Sequence, residues 1–331
     1  MTAKPVETPE VVFPLRRDRN GWRAVYKLGN ERGNCPFECR FCGVGTSPSV
    51  TSEEDISLFD VLHAQHLAVI DGPYHAVIFN RGNVTDTGSF SAQTLDHILS
   101  IFASDSRVSY VSLNSRERTA TEEVLEALSA RHLPFPIHFV FGQESFAESA
   151  PVILGKHNCG EMARFIAKLK RYNAGFESAV GRRRYVFGLD VNLLFLPELY
   201  LSPGETRNGN MAGIAAGISN DLRQVLTLSD PLVPMEVNIH PYYEVEPLPY
   251  ERADLSVLLR ILPSLDRIIE GHNKSRHTRP IHLFVGVVFV TNEGTHCPNS
   301  VLASRISTLA ATFDRFNTKG YSYPLVSERT V

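Results

Sequence analysis

Three cysteines, Cys35, Cys39 and Cys42, fall in the stretch Asn34-Cys35-Pro36-Phe37-Glu38-Cys39-Arg40-Phe41-Cys42-Gly43 with the spacing C-x3-C-x2-C. Three thiolates this close can hold three irons of a cubane [4Fe–4S] cluster and leave the fourth iron without a protein ligand. A cluster used only to carry electrons normally has four cysteine ligands, so three point to an iron kept open for chemistry. The competing use is a zinc site. Structural zinc takes four Cys/His ligands, usually as two closely spaced pairs, and the only local second half is the H-x2-H pair His63 and His66. That pair falls in an amphipathic stretch, where histidine is more often a packed or surface side chain. Cys159 and Cys297 are left over, too few for a second cluster held by four thiolates.

The rest of the chain must supply a frame for that loop. With 331 residues, 43% hydrophobic and 21% charged, it is long enough for one large α/β domain with a full core. A net charge of −3 gives no overall pull toward nucleic acid or an anionic membrane. Residues 1–20 mix charges with prolines and lack the apolar core of a signal peptide, and no apolar run reaches bilayer length. Five cysteines, three of them clustered, do not form a disulfide framework, and a reducing cytoplasm is the compartment consistent with them.

Short runs rich in Val, Ile, Phe and Tyr alternate with amphipathic stretches. Strands are expected over 23–28, 75–80, 108–114, 137–142, 185–195, 233–240 and 282–290. Helices are expected over 53–70, 92–103, 121–131, 160–172, 211–228, 253–270 and 299–313, with N-caps at Ser52, Ser91 and Thr119 or Thr121. Strict β-then-α order implies a parallel sheet with right-handed crossovers. Seven such pairs suggest a partial or nearly closed TIM-like (β/α)6–7 barrel over residues 22–318, with an N-terminal extension (1–21) and a C-terminal tail (319–331). In such barrels chemistry sits at the C-terminal ends of the strands. The cysteine loop follows the first expected strand and so falls at that mouth.

The cysteine spacing and the aromatic Phe41 before the last cysteine resemble the radical S-adenosylmethionine superfamily. The resemblance implies a (β/α)6-type core, a [4Fe–4S] cluster on Cys35, Cys39 and Cys42, and S-adenosylmethionine chelated at the open iron. It further implies reductive cleavage to a 5′-deoxyadenosyl radical that abstracts hydrogen from a substrate, and a flavodoxin- or ferredoxin-type electron donor. The cofactor carries the hard chemistry and the protein orients it.

The other mouth loops carry the resemblance further. After the second strand, Phe79-Asn80-Arg81-Gly82-Asn83-Val84-Thr85-Asp86 stands where the family often has G-G-E for the methionine amino group. The glutamate is missing, and Asn80 or Asn83 has a side-chain oxygen to take its place, with Gly82 permitting close backbone approach. The form F-N-x-G-x-x-x-D looks more like the archaeosine-synthesis and elongator-type branch. That branch often has E-S-R-P-E after the third strand. Here Ser115, Arg116 and Glu117 match, Asn114 replaces the first glutamate and the proline is missing. Arg116 has the planar fork suited to a methionine carboxylate; the alternative is an ordinary surface pairing with Glu117 or Glu122. Gly142-Gln143-Glu144-Ser145, with Gly155-Lys156 following, resembles the family's G-x-E-S element and makes Gln143 and Glu144 candidate cofactor partners. Asp190 and Asn192 interrupt an apolar strand, and a buried carboxylate needs a partner: cofactor or substrate on one side, a buried protein group or water on the other.

Tyr242 and Glu244, after the sixth strand, suit a polar, ring-containing substrate. Cys297, after the seventh, is either a hydrogen-atom donor to a substrate radical or an inert thiol. The basic runs Arg182-Arg183-Arg184 and Lys274, Arg276, His277, Arg279 precede strands, on the face away from the cysteines, so tRNA phosphates are not visibly provided for. Three functions follow. The first is a radical enzyme acting on a small polar molecule such as a nucleoside or nucleotide-sugar. The excess of Arg over Lys suggests a GC-rich genome, and the compact size is similar to radical enzymes of nucleoside-antibiotic (tunicamycin-type) biosynthesis, where C–C bond formation is one fate of the radical. The second is a tRNA-modifying radical enzyme, and the third a non-enzymatic iron–sulfur or zinc protein.

Overall fold

The apolar runs pair side by side, in chain order, into a single eight-stranded sheet. The computed structural model describes residues 15–18, 21–33, 35, 39, 49–80, 82–156, 160–176, 185–202, 204–205, 210–241, 255–275, 280–286, 313 and 315–318. Its strands are β1 (Arg16–Asp18), β2 (Gly21–Lys27), β3 (Tyr74–Phe79), β4 (Val108–Ser115), β5 (Ile137–Glu144), β6 (Phe187–Phe195), β7 (Met235–Pro241) and β8 (His282–Val285). All neighbours from β2 to β8 are parallel. The seven expected strands are therefore present and β-then-α order gives the parallel sheet. Strand β1 was not expected: it pairs antiparallel with β2, Arg17 opposite Trp22, so the sheet begins inside the segment expected to be an extension.

The helices are α1 (Ser52–Leu67), α2 (Ala92–Ser104), α3 (Glu122–Ala130), α4 (Ala150–Leu154), α5 (Glu161–Ala174), α6 (Met211–Leu228) and α7 (Leu255–Ser275), with a 3-10 turn at Pro197–Tyr200. The cap of α1 is Thr51, not Ser52. Thr51 Oγ1 accepts from Glu54 N–H while the Glu54 carboxylate accepts from Thr51 N–H at 2.7 Å, a capping box. Ser52 instead donates to Glu31 Oε1 and Ser91 Oγ, both at 2.9 Å, tying α1 to the loops before and after it. Ser91 and Thr121 cap α2 and α3 as expected. The expected helix over 299–312 lies outside the described residues, as do Arg182, Arg183, Arg184, Arg276, His277 and Arg279.

Alternate residues of each strand face the helices and form the main core, including Tyr26, Leu113, Phe139, Phe187 and Val237, with Phe102 of α2 packed among them. The other residues face inward, and their contacts show the curvature. Arg23 on β2 ion-pairs with Glu236 on β7 and donates to Asn238 Oδ1 at 3.3 Å. Its guanidinium also lies 3.6 Å from the ring centre of Phe284 on β8. In a flat sheet β2 and β7 would be about 24 Å apart at about 4.8 Å per strand, beyond the reach of any side chain. The sheet is therefore curled into an open parallel barrel, with β2 facing β7 and β8 across its interior.

That interior is unusually polar at its floor. His75 stacks on Tyr110 with ring centres 4.2 Å apart, and Tyr110 lies 4.4 Å from His138. His138 Nδ1 is 2.7 Å from Asp190 Oδ1, and Ser112 Oγ donates to Asp190 Oδ2 at 2.5 Å. Burial of the Asp190 carboxylate is tolerated because each of its oxygens finds a partner.

Candidate active site at the barrel mouth

The mouth loops after β2, β3, β4 and β5 are pinned by short polar contacts before any ligand is considered. The cysteine loop leaves β2 through Gly29 and Asn30 and returns at Val50. Gly29 N–H donates to Asp55 Oδ1 at 2.6 Å, and the backbone oxygen of Asn30 accepts from Val50 N–H at 3.3 Å. These bonds close the neck of the loop that presents Cys35 and Cys39, both half-buried. Cys42 and Phe41 lie outside the described residues.

The loop after β3 is held by asparagines. Asn114 Oδ1 accepts from Asn80 N–H at 3.1 Å, and Asn114 Nδ2 donates to Gly82 O at 2.8 Å. Asn80 accepts from Gly82 N–H through its side-chain oxygen at 3.2 Å and donates to Ser89 O at 3.2 Å. Asn80 therefore shapes the loop with the same oxygen that was assigned to a ligand. A Cβ on Gly82 would lie 2.8 Å from Asn30 Nδ2, so this glycine allows the loops after β2 and β3 to approach each other. Asn83 differs. Its residue is buried, and its side chain makes no hydrogen bond among the described residues, which leaves an amide tip to meet a bound molecule.

After β4, a hydroxyl latch fixes the backbone under Arg116. Ser115 Oγ lies 2.6 Å from Thr85 Oγ1, which lies 2.8 Å from Thr119 Oγ1, and Arg116 N–H donates to Thr119 Oγ1 at 3.2 Å. Ser115 is thus a structural link between the loops after β3 and β4. The Arg116 guanidinium reaches across to Cys39, with Nη2 3.0 Å from Sγ. Of the two carboxylates near it in sequence, Glu117 pairs with Lys168 at 2.9 Å and Glu122 with Arg171.

At the end of β5, Lys156 Nζ donates to Glu144 Oε1 at 2.8 Å and to Gly142 O at 2.5 Å. A Cβ on Gly142 would meet the Glu144 carboxylate and the Lys156 ammonium, so a glycine gives this ion pair its room. Glu144 itself has φ 64°, a left-handed conformation costing a side chain about 1 kcal/mol or more and commonly kept at functional sites. The loop is held in that form from below. Asp221 on α6 accepts from Ser145 Oγ at 2.5 Å, Tyr200 OH at 2.7 Å and Phe146 N–H at 3.1 Å, and burial pushes its carboxyl above the usual range. Asp221 was missed in the sequence, although it breaks the apolar face of Ile214, Ile218, Leu222 and Val225, the pattern that marks a buried carboxylate with a task. Gln143 is buried and donates to Ser145 O at 3.2 Å.

Asp190 sits at the floor rather than the mouth and is paired with His138 and Ser112, so the buried protein partner is the alternative that the structure shows. Asn192 lies one step higher and is only partly buried. Its Oδ1 accepts from Asn238 Nδ2 at 3.0 Å. His240, passed over in the sequence, ends the inward row of β7. Burial, aided by the charge of Arg23, pushes its imidazole down to about 4, so it is neutral at ordinary pH. Tyr242, Glu244 and Cys297 lie outside the described residues.

The zinc pairing can be judged from the histidines. His63 Nδ1 is 2.9 Å from Tyr26 OH and its ring stacks on Phe59, while His66 packs edge-on to Tyr26. Both belong to the aromatic layer between α1 and the outer face of the sheet, the face opposite the barrel interior. The donor set that remains, thiols with a guanidinium against one of them, fits an anionic thiolate-bound cluster, whose charge a cation stabilises.

No protein-family model and no curated protein matches the chain. Among solved structures, the chain is similar to a queuine lyase from Clostridium spiroforme bound to SAM and queuine, with 14% sequence identity and a TM-score of 0.44, over 82% of this chain and 96% of that one.

Proposed function

We propose that the chain is a radical S-adenosylmethionine enzyme acting on a small polar molecule of the nucleoside or nucleotide-sugar class. The observation that carries this is the placement of the C-x3-C-x2-C loop. It leaves β2 at the C-terminal mouth of a parallel barrel, closed at its neck by Asn30 and Val50, with Arg116 from the loop after β4 set against Cys39. Cys35, Cys39 and Cys42 would hold a [4Fe–4S] cluster. When bound, that cluster supplies the electron that cleaves S-adenosylmethionine to a hydrogen-abstracting 5′-deoxyadenosyl radical. Asn83 and Asn192 offer amide tips to the cofactor or substrate, while Gln143 and Glu144 stand on the strained end of β5 as further polar partners. Neutral His240 closes the β7 side of the mouth. A flavodoxin- or ferredoxin-type protein would deliver the electron.

The test is anaerobic reconstitution with iron and sulfide, followed by metal analysis, EPR and detection of 5′-deoxyadenosine from S-adenosylmethionine. About four irons per chain, a reduced [4Fe–4S] signal and 5′-deoxyadenosine release are expected. Zinc alone, with no such signal, would reject the proposal. Product release that requires tRNA, with a tRNA mobility shift at low salt, would move the substrate class to RNA.

A further inference from the structure

We propose that Arg116 is a positioning residue for the electron chemistry, whose hydrogen bond to Cys39 sets how readily the thiolate-bound cluster accepts an electron; this rests on the cluster assignment above. Three observations converge. The guanidinium Nη2 lies 3.0 Å from Cys39 Sγ, within the range of a charged N–H···S contact. The backbone beneath Arg116 is held on both sides. Its N–H donates to Thr119 Oγ1 at 3.2 Å, and its carbonyl accepts from Thr119 N–H at 3.1 Å, Ala120 N–H at 3.0 Å and Ser115 Oγ at 3.2 Å. The Thr85 hydroxyl locks Ser115 and Thr119 together across two loops. The neighbouring carboxylate, Glu117, is engaged by Lys168.

Physics gives the sign. Reduction adds one negative charge to a group already anionic through its thiolates. A fixed cation donating a hydrogen bond to one ligand sulfur stabilises the reduced state more than the oxidised one and raises the reduction potential. The contact uses Nη2, and a role for Arg116 at the cluster is separable by experiment from a clamp on the methionine carboxylate.

The experiment is an EPR-monitored redox titration of the reconstituted protein with dithionite, comparing wild type with R116Q, R116K and R171Q, alongside equilibrium dialysis of S-adenosylmethionine. R116Q is expected to move the midpoint to more negative potential, with R116K moving it less because the charge remains. R171Q, which removes an equal charge from an exposed pair with Glu122 on the outer helices, is expected to leave it in place. An unchanged midpoint in R116Q at full iron content would overturn the inference, as would an equal shift in R171Q. Loss of S-adenosylmethionine binding without a change in midpoint would return Arg116 to the carboxylate. If R116Q fails to assemble the cluster, R116K carries the test, and loss of the cluster from both folded variants would make Arg116 a residue of cluster assembly instead. Absence of a [4Fe–4S] signal in wild type is a different result, against the proposed function itself.

Discussion

Arg23 at the barrel floor and Arg116 at its mouth are both held arginines, but their partners differ in kind. Arg23 is matched by a carboxylate, an amide oxygen and an aromatic face, all from strands across the barrel. Its charge is answered inside the fold. Arg116 is fixed by its backbone, and its guanidinium is presented to a half-buried thiol. The same contrast separates Asp190 from Asn83, one closed by His138 and Ser112, the other with an amide tip left over. A polar group answered from across the barrel floor makes the frame, whereas one presented at the mouth, to a thiol or with an amide tip to spare, makes a site.

The largest test of this contrast is at the thiols. Replacing Cys35, Cys39 or Cys42 by alanine should abolish iron incorporation and 5′-deoxyadenosine formation while leaving the circular dichroism spectrum and melting unchanged. A large loss of stability would mean that the mouth is part of the frame. Next is Arg23→Met, which strands the buried Glu236 carboxylate and should cost about 3–5 kcal/mol in urea unfolding. Arg23→Met with Glu236→Leu should recover much of that, since the pair is replaced by apolar volume.

A smaller effect comes from pH. His240 ionises in the fold only near about 4, below its unfolded value, so its neutral form is the stabilised one. That contribution is complete above the ordinary histidine pKa and is lost as pH falls from there through the folded value. Urea unfolding should therefore weaken by roughly 1–2 kcal/mol between pH 7 and pH 5, and His240→Asn should flatten the decline. An identical slope in that variant would remove His240 from the account. The finest comparison is within one loop. Asn80→Ala should lower stability by about 1 kcal/mol, because it removes a turn that Asn114 completes. Asn83→Ala should leave stability alone and weaken S-adenosylmethionine binding in equilibrium dialysis. If the two behave alike, the division between frame and site fails at its boundary.

Much of the frame was readable because the strands are buried on both faces and so appear as nearly unbroken apolar runs. Strand β1 was not, because Arg16, Arg17 and Asp18 carry no hydrophobic pattern; their pairing depends on the chain folding back onto β2. The short helix α4, with Pro151 in its first turn, has too few residues to show a period. The cysteine loop announced itself by spacing alone. The floor of the barrel did not: Arg23 and Glu236 are 213 residues apart, and only the curl of the sheet joins them. Asn80 was read in the sequence as a partner for the methionine amino group, and its part in shaping the loop depends on Asn114, a residue that had registered only as a departure from a motif. Asp221 could have been found, since a carboxylate on an apolar helix face has few explanations.

The two borders of the sheet have a further consequence. An open barrel has two exposed strand flanks, and each is an invitation for a foreign strand to add on. Here one flank ends in the three charged residues of β1, too short and too hydrophilic to template another chain. On the other, the side-chain amide of Asn317 accepts from Val285 N–H at 2.8 Å and donates to Val285 O at 2.9 Å, imitating the next strand's peptide group. Both flanks of the sheet, among the described residues, are thus blunted against strand addition. A barrel whose edges are guarded in this way can leave its mouth to a substrate.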